Sequence, residues 1–229
     1  MDGRSIKRIS VFAGHYGSGK TNVAVNYALM LREKGMEVSI TDLDIVNPYF
    51  RTKDSEDILA EKGIRLISSP YANSNVDTPA LPADAYTAFE NRESYAVVDV
   101  GGDDRGALAL GRYAGKMLEE NNYEMFFVIN KYRFLTSDAT STVEVMREIE
   151  SASGVKFTAI VNNSNIGEET TSEKVLESVA YANEVSELCG LEVKMTTVKS
   201  ELYDALKDKI ENLQPIDLYV RQSWLRKEV

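Results

Sequence analysis

One glycine-rich motif near the amino terminus constrains the fold of this chain more than any other feature. Residues 11–21 read V-F-A-G-H-Y-G-S-G-K-T, and Gly14, Gly19, Lys20 and Thr21 satisfy the pattern G-x-x-x-x-G-K-[ST]. Glycines allow consecutive backbone amides to curl around a phosphate chain, the lysine reaches the terminal phosphates, and the hydroxyl can ligate Mg²⁺. The variable positions, which belong to the same candidate nucleotide site, are His15, Tyr16, Gly17 and Ser18.

The sequence on either side of this motif predicts a strand, a loop and a helix. Residues 9–13 are an apolar run typical of a strand, whereas Val23, Tyr27 and Leu31 recur at helical spacing. Gly35 stands where a left-handed helix stop is expected. This order places phosphates at a helix N-terminus, where free amides and the helix dipole favour negative charge. A glycine-rich turn without a ligand is the alternative.

Strands alternate with helices along the rest of the chain. This alternation predicts an α/β fold with three layers, α/β/α, around a mostly parallel central sheet. Asp138 is expected to cap a helix that Gly154 ends, and Thr170 with Glu173 has the spacing of a capping box for a helix that ends at Gly190. The predicted strands are Arg8 to Ala13, Glu37 to Thr41, Arg65 to Ile67, Tyr95 to Val100, Glu124 to Asn130, Lys156 to Val161 and Leu191 to Thr196.

Composition narrows the class of protein. With 229 residues, 43% of them hydrophobic, the chain can bury one large core, so we expect a single domain over residues 1–229. No leader and no apolar run of membrane-spanning length is present, which predicts a cytoplasmic protein without membrane binding. One cysteine and one histidine argue against a built-in zinc or iron–sulfur site. The net charge of −10 argues against nucleic acid as a partner.

Two carboxylate motifs follow predicted strands, where ligands bind in parallel sheets. Asp99 ends an apolar strand, and Gly102 follows three residues later in the form D-x-x-G. An aspartate there can hold the hydration shell of Mg²⁺, while the glycine amide can contact a γ-phosphate. Asp42-Leu43-Asp44 follows the second strand. The alternative for each motif is a turn, because aspartate is common in turns.

With these motifs the chain resembles the deviant-Walker, SIMIBI-class group of P-loop proteins that includes MinD, ParA and the CobQ/CobB type, in which the second strand ends in Asp-x-Asp. The resemblance implies ATP and Mg²⁺ as cofactors. It implies that Asp44 orients or deprotonates the attacking water and belongs to switch I, and that Asp99 and Gly102 belong to switch II. Lys20, Asp44 and Asp99 are then the candidate catalytic residues. The candidate metal site is formed by Thr21, Asp44 and Asp99.

The chain departs from this group at the second loop position. The group carries a signature lysine there that reaches the nucleotide of a second subunit, and this chain has His15. Histidine is shorter and can be neutral near pH 7, so it does not supply the same cation. His15 could be a loop residue, a contact to phosphate or to a partner's nucleotide, or a metal ligand. A nucleotide-dependent homodimer therefore stays open.

Two asparagine-ended strands are candidates for binding the base. Asn130-Lys131-Tyr132-Arg133 is similar to the N-K-x-D of GTP-binding proteins but has Arg133 in place of the guanine-reading aspartate, which favours adenine. The resemblance implies that an asparagine after the later strand contacts adenine, and this is Asn162. Asparagines that only form turns are the alternative.

Two further segments could contact a partner or a substrate. Ser69 to Ala83 contains three prolines among small polar residues and predicts an irregular surface loop. From Pro215 onward, Ile216, Val220 and Trp224 have helical spacing, which predicts a helix that packs against the domain, with a membrane-binding tail as the alternative.

The sequence thus predicts a cytoplasmic, Mg²⁺-dependent ATPase that acts as a nucleotide-driven switch for a protein partner or cargo. An ATP-dependent small-molecule kinase or ligase resembling dethiobiotin synthetase is the first alternative. The second is a partitioning or placement protein with slow turnover.

Overall fold

Eight parallel strands form the centre of the protein. The computed structural model describes residues 6–44, 52–68 and 84–219. All neighbouring strands are parallel, in the order β3-β2-β4-β1-β5-β6-β7-β8. The strands are β1 Ile9–Ala13, β2 Val38–Leu43, β3 Arg65–Ile67, β4 Tyr95–Val100, β5 Tyr123–Ile129, β6 Ala159–Asn162, β7 Val193–Lys199 and β8 Leu213–Ile216.

Helices connect the strands and cover both faces of the sheet. The α-helices are α1 Lys20–Glu33, α2 Glu56–Glu61, α3 Ala85–Glu90, α4 Asp104–Gly111, α5 Ala114–Glu120, α6 Ala139–Ser153, α7 Ser172–Cys189 and α8 Ser200–Leu206. Short 3-10 helices occupy Thr52–Ser55, Phe134–Thr136 and Gly167–Glu169. No helix among the described ranges is long and apolar enough to cross a membrane.

Side chains that alternate along each strand build a core on either side of the sheet. Val11 and Phe127 pack with α3 to α7 on one face, whereas Phe12 and Phe126 pack with α1 and α2 on the other. Consecutive side chains of a strand point to opposite faces, so buried parallel strands need apolar residues at nearly every position. The predicted three-layer α/β/α fold with a parallel sheet is confirmed, while the single domain over residues 1–229 stays a prediction.

Three aromatic rings fix α1 to the strands below it. Phe12 and Phe126 stack with ring centroids 4.9 Å apart, and Tyr27 of α1 meets them edge-on at 5.2 and 5.8 Å. Such pairs contribute on the order of 1 kcal/mol beyond the burial of their area. They hold α1 against β1 and β5, directly after the glycine-rich loop that joins β1 to α1.

All seven predicted strands are present; β3 and β4 have the predicted ends, and the other five are shifted by one to three residues. β6 starts three residues late, at Ala159 rather than at Lys156. Glu150 of α6 explains the shift, because its carboxylate pairs with Lys156 at 2.7 Å and accepts a hydrogen bond from the Phe157 amide at 3.0 Å. The backbone at residues 156–157 is therefore held by a helix and not by the sheet.

The helix ends follow the predicted caps with one correction. Asp138 accepts a hydrogen bond from the Ser141 amide, and Gly154 ends α6 in the left-handed conformation, as predicted. The cap of α7 is Thr171 and not Thr170, whose hydroxyl donates to the Gly167 carbonyl at 2.7 Å. The side chain of Thr170 is thus engaged one turn earlier in the chain.

The prediction of a helix from Pro215 onward is wrong for its first residues. Pro215 and Ile216 belong to β8, which pairs with β7 at the edge of the sheet. An edge strand tolerates proline, because the missing N–H removes no bond to a second neighbour. The predicted positions Val220 and Trp224 lie outside the described residues, as does the predicted loop Ser69 to Ala83.

Candidate functional site

The glycine-rich loop lies at the point where the chain order across the sheet changes direction. β1 ends at Ala13 between β4 and β5, the loop spans residues 14–19, and α1 begins at Lys20. Ligands of parallel sheets bind beyond the carboxyl ends of the strands at such a point, where two connections diverge. The predicted order of strand, loop and helix is therefore present, and it opens into the crevice where a nucleotide is expected.

The loop has a shape that only glycines permit at three of its positions. Gly17 and Gly19 have φ of 77° and 81°, in the left-handed region. A Cβ on Gly14 would lie 2.3 Å from the backbone oxygen of Val128. The N-cap residue of α1 is Gly19, so no side-chain hydrogen bond from the cap satisfies the first amides of the helix. Ser18 is buried, and its hydroxyl has no hydrogen-bond partner in the described part of the chain, which suits a site built for an anion.

Asn163, the residue after β6, holds the loop in place. Its amide nitrogen donates to the Ser18 carbonyl at 2.6 Å, and its amide oxygen accepts from the Thr197 hydroxyl at 2.6 Å. A Cβ on Gly19 would lie 2.3 Å from the same amide nitrogen. The sequence drew attention to this asparagine-ended strand, but the residue that touches the loop is the one after Asn162.

The two carboxylate motifs meet because β2 and β4 are neighbours. Asp42 of β2 lies opposite Asp99 of β4 in the parallel register, so Asp44 and Asp99 end up at the same edge of the sheet. Lys20, Asp44 and Asp99 are each less than a tenth exposed. A Cβ on Gly102 would lie 3.1 Å from the Lys20 ammonium. The side chains predicted to act on the terminal phosphates therefore lie together.

Asp99 is a fully buried carboxyl with an incomplete set of partners. Its Oδ2 accepts a hydrogen bond from the Thr52 hydroxyl at 3.0 Å, while its Oδ1 has no hydrogen-bond partner among the described residues. Burial raises the pKa of Asp99 to about 6, and the charge of Asp44 adds to the rise. The Lys20 charge opposes burial most strongly, followed by the Thr21 hydroxyl.

These residues fit a bound Mg²⁺ ion. The unpartnered oxygen of Asp99 is a buried acceptor close to Thr21 and Asp44, and oxygen atoms are the ligands that Mg²⁺ prefers. No group of three His, Cys, Asp or Glu side chains in the described ranges is arranged to hold a metal by itself. Water and phosphate oxygens would complete the coordination, as is usual for Mg²⁺ in sites that bind a nucleotide.

Thr52 is a site residue that sequence reasoning missed. It opens the 3-10 helix before α2, is fully buried and touches Asp99 across 47 positions of sequence. A lone threonine outside any motif carries no signal in the sequence.

The two candidate base-binding asparagines are buried and hydrogen bonded inside the protein. Asn162 donates to the Ser178 hydroxyl at 3.0 Å, and its Oδ1 accepts from the Ser164 amide. Asn130 bonds both the amide and the carbonyl of Asn165 through its side chain. The assignment of Asn162 to adenine stays a prediction, and it requires these hydrogen bonds to open.

The outer side of the loop carries His15 and Tyr16. The ring Nδ1 of His15 lies 3.0 Å from the Tyr16 carbonyl, so the imidazole contacts its own loop. Tyr16 is about half exposed. Arg133, which replaces the guanine-reading aspartate, donates from Nε to the Gly17 carbonyl at 2.8 Å. His15 and Arg133, the two residues that depart from the expected motifs, thus both contact the loop.

Several known structures share this fold. The chain is similar to the cell division protein FtsY of Thermotoga maritima, with a TM-score of 0.56 and 20% identity over 95% of this chain and 67% of that one. For chloroplast FtsY of Physcomitrella patens the TM-score is 0.59, with 16% identity over 86% of this chain and 60% of that one. For the signal recognition particle 54 kDa protein of Aeropyrum pernix, solved with GDP, the TM-score is 0.58, with 18% identity over 85% of this chain and 42% of that one.

The fold is that of the P-loop nucleotide-binding NTPases. At these levels of identity the structures show the fold alone. No protein-family model matches the chain. One curated relative, the cytosolic Fe-S cluster assembly factor cfd1 of Emericella nidulans, is 30% identical over 96 residues, which are 42% of this chain. The matched part spans 27% of that relative's length.

The close approach of Gly102 to the P-loop can be tested with an alanine. A Cβ there would lie 2.7 Å from the backbone N and Cα of Tyr16, so Gly102→Ala must push the loop aside. We expect a lower melting temperature and weaker nucleotide binding, measured by differential scanning fluorimetry with and without nucleotide. The matched control is Gly115→Ala in α5, where a Cβ meets no atom within 4 Å and alanine favours the helix, so stability should rise. Equal behaviour of the two variants would contradict the close contact.

The raised pKa of Asp99 predicts a pH-dependent stability. Between its ordinary value of 3.8 and about 6, native Asp99 keeps a proton that the unfolded chain releases, so this group lowers the unfolding free energy as pH rises. Asp99→Asn removes that loss. The melting temperature of the variant minus that of the wild type should therefore increase from about pH 4 to about pH 7, without nucleotide or Mg²⁺. Asp57→Asn, at an exposed position of α2, is the matched control for exchanging an aspartate for an asparagine. A flat profile for Asp99→Asn would show that its native pKa is ordinary.

Proposed function

We propose that this protein is a cytoplasmic, Mg²⁺-dependent ATP-binding protein and ATPase of the MinD/ParA-like group, acting as a nucleotide-driven switch for a protein partner. The observation that carries the proposal is the burial of Lys20, Asp44 and Asp99 together beside a complete P-loop. The similarity to the assembly factor cfd1 and the sequence motifs support the group.

The loop and the start of α1 bind the phosphates. Amides between Gly14 and Gly19 supply hydrogen bonds, and Lys20 supplies the charge that neutralises the terminal phosphates. The buried Ser18 hydroxyl is available to the same anion. These groups are held before the ligand arrives, by Asn163 and by the aromatic contacts of α1, so little ordering is needed on binding.

Thr21, Asp44 and Asp99 are the residues that would hold Mg²⁺, directly or through its waters. The ion would neutralise charge on the phosphate oxygens as the γ-phosphoryl group is transferred. The Thr21 hydroxyl stands at the first turn of α1, beside the P-loop lysine. Asp99 approaches from β4 with one oxygen that has no partner in the described part of the chain, so it can take up a ligand without losing the Thr52 bond.

Asp44 orients the attacking water and accepts its proton. The water oxygen forms a bond to the γ-phosphorus, and the bond from that phosphorus to the β–γ bridging oxygen breaks. The electron pair of the broken bond remains on ADP, and the proton passes through Asp44 to the released phosphate. Positioning and charge neutralisation supply most of the rate in such a reaction.

Two contacts can report the state of the nucleotide to the surface. Gly102 lies against the backbone of Tyr16, and Thr52 is bonded to Asp99. Loss of the γ-phosphate changes what Asp99 and the Gly102 amide contact, so the segments on either side of them can rearrange. Those segments reach the exposed surface at Tyr16, where a protein partner or a second copy of the chain can bind.

ATP is proposed over GTP because of Arg133. Guanine recognition uses an aspartate at this position of N-K-x-D, and a guanidinium does not provide the two acceptor oxygens that the guanine edge needs. Competition between ATP and GTP for binding to the same site tests this preference for ATP. Tighter binding of GTP would redirect the proposal to a GTPase.

Two substitutions separate binding from hydrolysis. Lys20→Ala should abolish nucleotide binding in titration calorimetry, because it removes the cation of the P-loop. Asp44→Ala should keep ATP binding and lose hydrolysis, measured as released phosphate, because the water is no longer oriented. Lys34→Ala and Asp57→Ala, at exposed positions, are the matched controls and should behave as wild type. Undiminished turnover by Asp44→Ala would remove Asp44 from the mechanism, and a strict need for a small acceptor would favour the kinase or ligase.

The switch predicts that partner affinity differs between nucleotide states. Immobilised Asp44→Ala protein should recover a partner in ATP and lose it in ADP, because a switch must bind its partner with different affinity in the two states. Recovered proteins are quantified by mass spectrometry, and self-association is followed in parallel by sedimentation velocity. Equal recovery of all partners together with an unchanged oligomeric state would contradict a switch.

A further inference from the structure

A groove along α1 is separate from the phosphate site. It has a volume of about 430 Å³ and is lined by residues of α1, α2, β7 and β8 and of the segment after β8. Its lining in the described ranges includes no residue of the P-loop and neither Asp44 nor Asp99. Met30 of α1, Ile58 of α2 and Met195 of β7 give it an apolar wall. The roles proposed for the nucleotide site make no use of this groove.

The apolar side chains at the groove are only partly covered by the described chain. Met30 and Ile58 pack against the core between α1, α2 and the sheet, yet both are half-buried. Tyr219, at the end of the last described range, packs against the same core and lines the groove. Removing apolar surface from water is favourable in rough proportion to its area. A further apolar side chain placed in the groove would therefore stabilise the fold.

Two asparagines of α1 lead the chain into the groove. The Asn26 side chain accepts a hydrogen bond from the Asp217 amide at 3.0 Å and donates one to the Asp217 carbonyl at 2.8 Å. The Asn22 side chain accepts from the Tyr219 amide at 3.0 Å. Positions 22 and 26 lie on the same face of α1, because they are four residues apart. The segment after β8 is thus held along α1 up to residue 219, so the residues that follow start at the groove.

The sequence that follows contains apolar side chains at a suitable spacing. Val220 and Trp224 are four residues apart, which places two side chains on one face of a helix. Trp224 is five residues beyond Tyr219, so an extended chain could carry it at most about 17 Å away. A connection this short gives an effective concentration on the order of millimolar. The attached segment therefore has an advantage over a free partner in occupying the groove.

The charges of the groove and of this segment are complementary. The lining carries the exposed carboxylates of Glu33 and Asp217 and the ammonium of Lys62. Burial raises the pKa of Tyr219, and the charges of Asp217 and Glu33 add to the rise, so both carboxylates lie near the end of the described chain. Residues 220–229 contain three basic side chains and one acidic side chain. Their charge favours docking beside these carboxylates, although exposed charges contribute little each.

We propose that residues 220–229 fold back into this groove of their own chain, with the indole of Trp224 packed against Met30 and Ile58. The inference does not depend on the proposed function. The docked segment ties the end of the chain to α1 and α2 and covers the apolar wall of the groove. Because α1 follows the P-loop directly, docking also steadies the helix on which the loop is built.

The single tryptophan makes docking measurable in the full chain. In the native protein its emission should lie at a shorter wavelength, and acrylamide should quench it less, than in the chain unfolded by guanidinium chloride. Met30→Lys and Ile58→Lys should each shift the emission to longer wavelength and increase quenching, because they place a cation where the indole and the basic segment dock. Leu188→Lys, at an exposed position of α7, is the matched control and should leave the emission unchanged. Circular dichroism checks that each variant is folded.

Substitutions of the tryptophan test docking without altering the groove. Trp224→Ala should lower the melting temperature by at least about 4 °C, because the apolar contact with the groove is lost. Trp224→Phe should recover most of that loss, since it keeps an aromatic ring. Both variants change a residue beyond the described core, so they test the contact even if a groove variant fails to fold.

Four outcomes would overturn the inference. The first is native emission and quenching equal to those of the unfolded chain, with an unchanged melting temperature for Trp224→Ala. The second is a shielded tryptophan that stays shielded in folded Met30→Lys and Ile58→Lys, because the indole then packs elsewhere. The third is shielding that appears only with self-association in sedimentation velocity, which assigns the groove to a second copy. The fourth is shielding that appears only with vesicles of phosphatidylcholine and phosphatidylserine, which assigns the segment to a membrane.

Discussion

The structure depends on charged side chains being buried together at one edge of a parallel sheet. Asp99 is completely enclosed, and Lys20 is the cation that offsets it. Burying a carboxylate costs several kcal/mol unless a partner compensates, and here compensation is partial, since one oxygen of Asp99 meets no donor in the described ranges. On the proposed function, a bound Mg²⁺ would supply the missing charge and would leave Lys20 free for the phosphates, so the ligand would balance the charge that the fold buries.

The P-loop, the fold class and most helix ends could be predicted because their signals are local. Gly19 and Lys20 belong to a loop motif that is recognisable within eight residues of sequence. Asp138 and Gly154 mark the two ends of α6, because each residue type is favoured at the helix end it occupies. β8 escaped prediction because Pro215 argues against a strand in isolation. Only its position at the edge of the sheet makes the proline acceptable.

The hydrogen bonds that hold the site residues in place could not be predicted, because they join residues that are far apart in sequence. Asn163 bonds the Ser18 carbonyl across 145 positions, and Thr52 bonds Asp99 across 47. Neither contact follows from a pattern in the sequence, because both arise from the order of strands across the sheet. Asn162 ends β6 and Asn163 follows it, and the two side chains have different partners: Asn162 bonds Ser178, and Asn163 bonds the loop.

The turn after β5 connects the P-loop to an exposed apolar side chain. Arg133 Nε donates to the Gly17 carbonyl, and Phe134, the next residue, is almost fully exposed. On the proposed function, a rearrangement of the P-loop when the γ-phosphate is lost would therefore move an apolar group at the surface. A partner that binds this surface would then have a different affinity in the two nucleotide states, because the turn and the loop are joined directly.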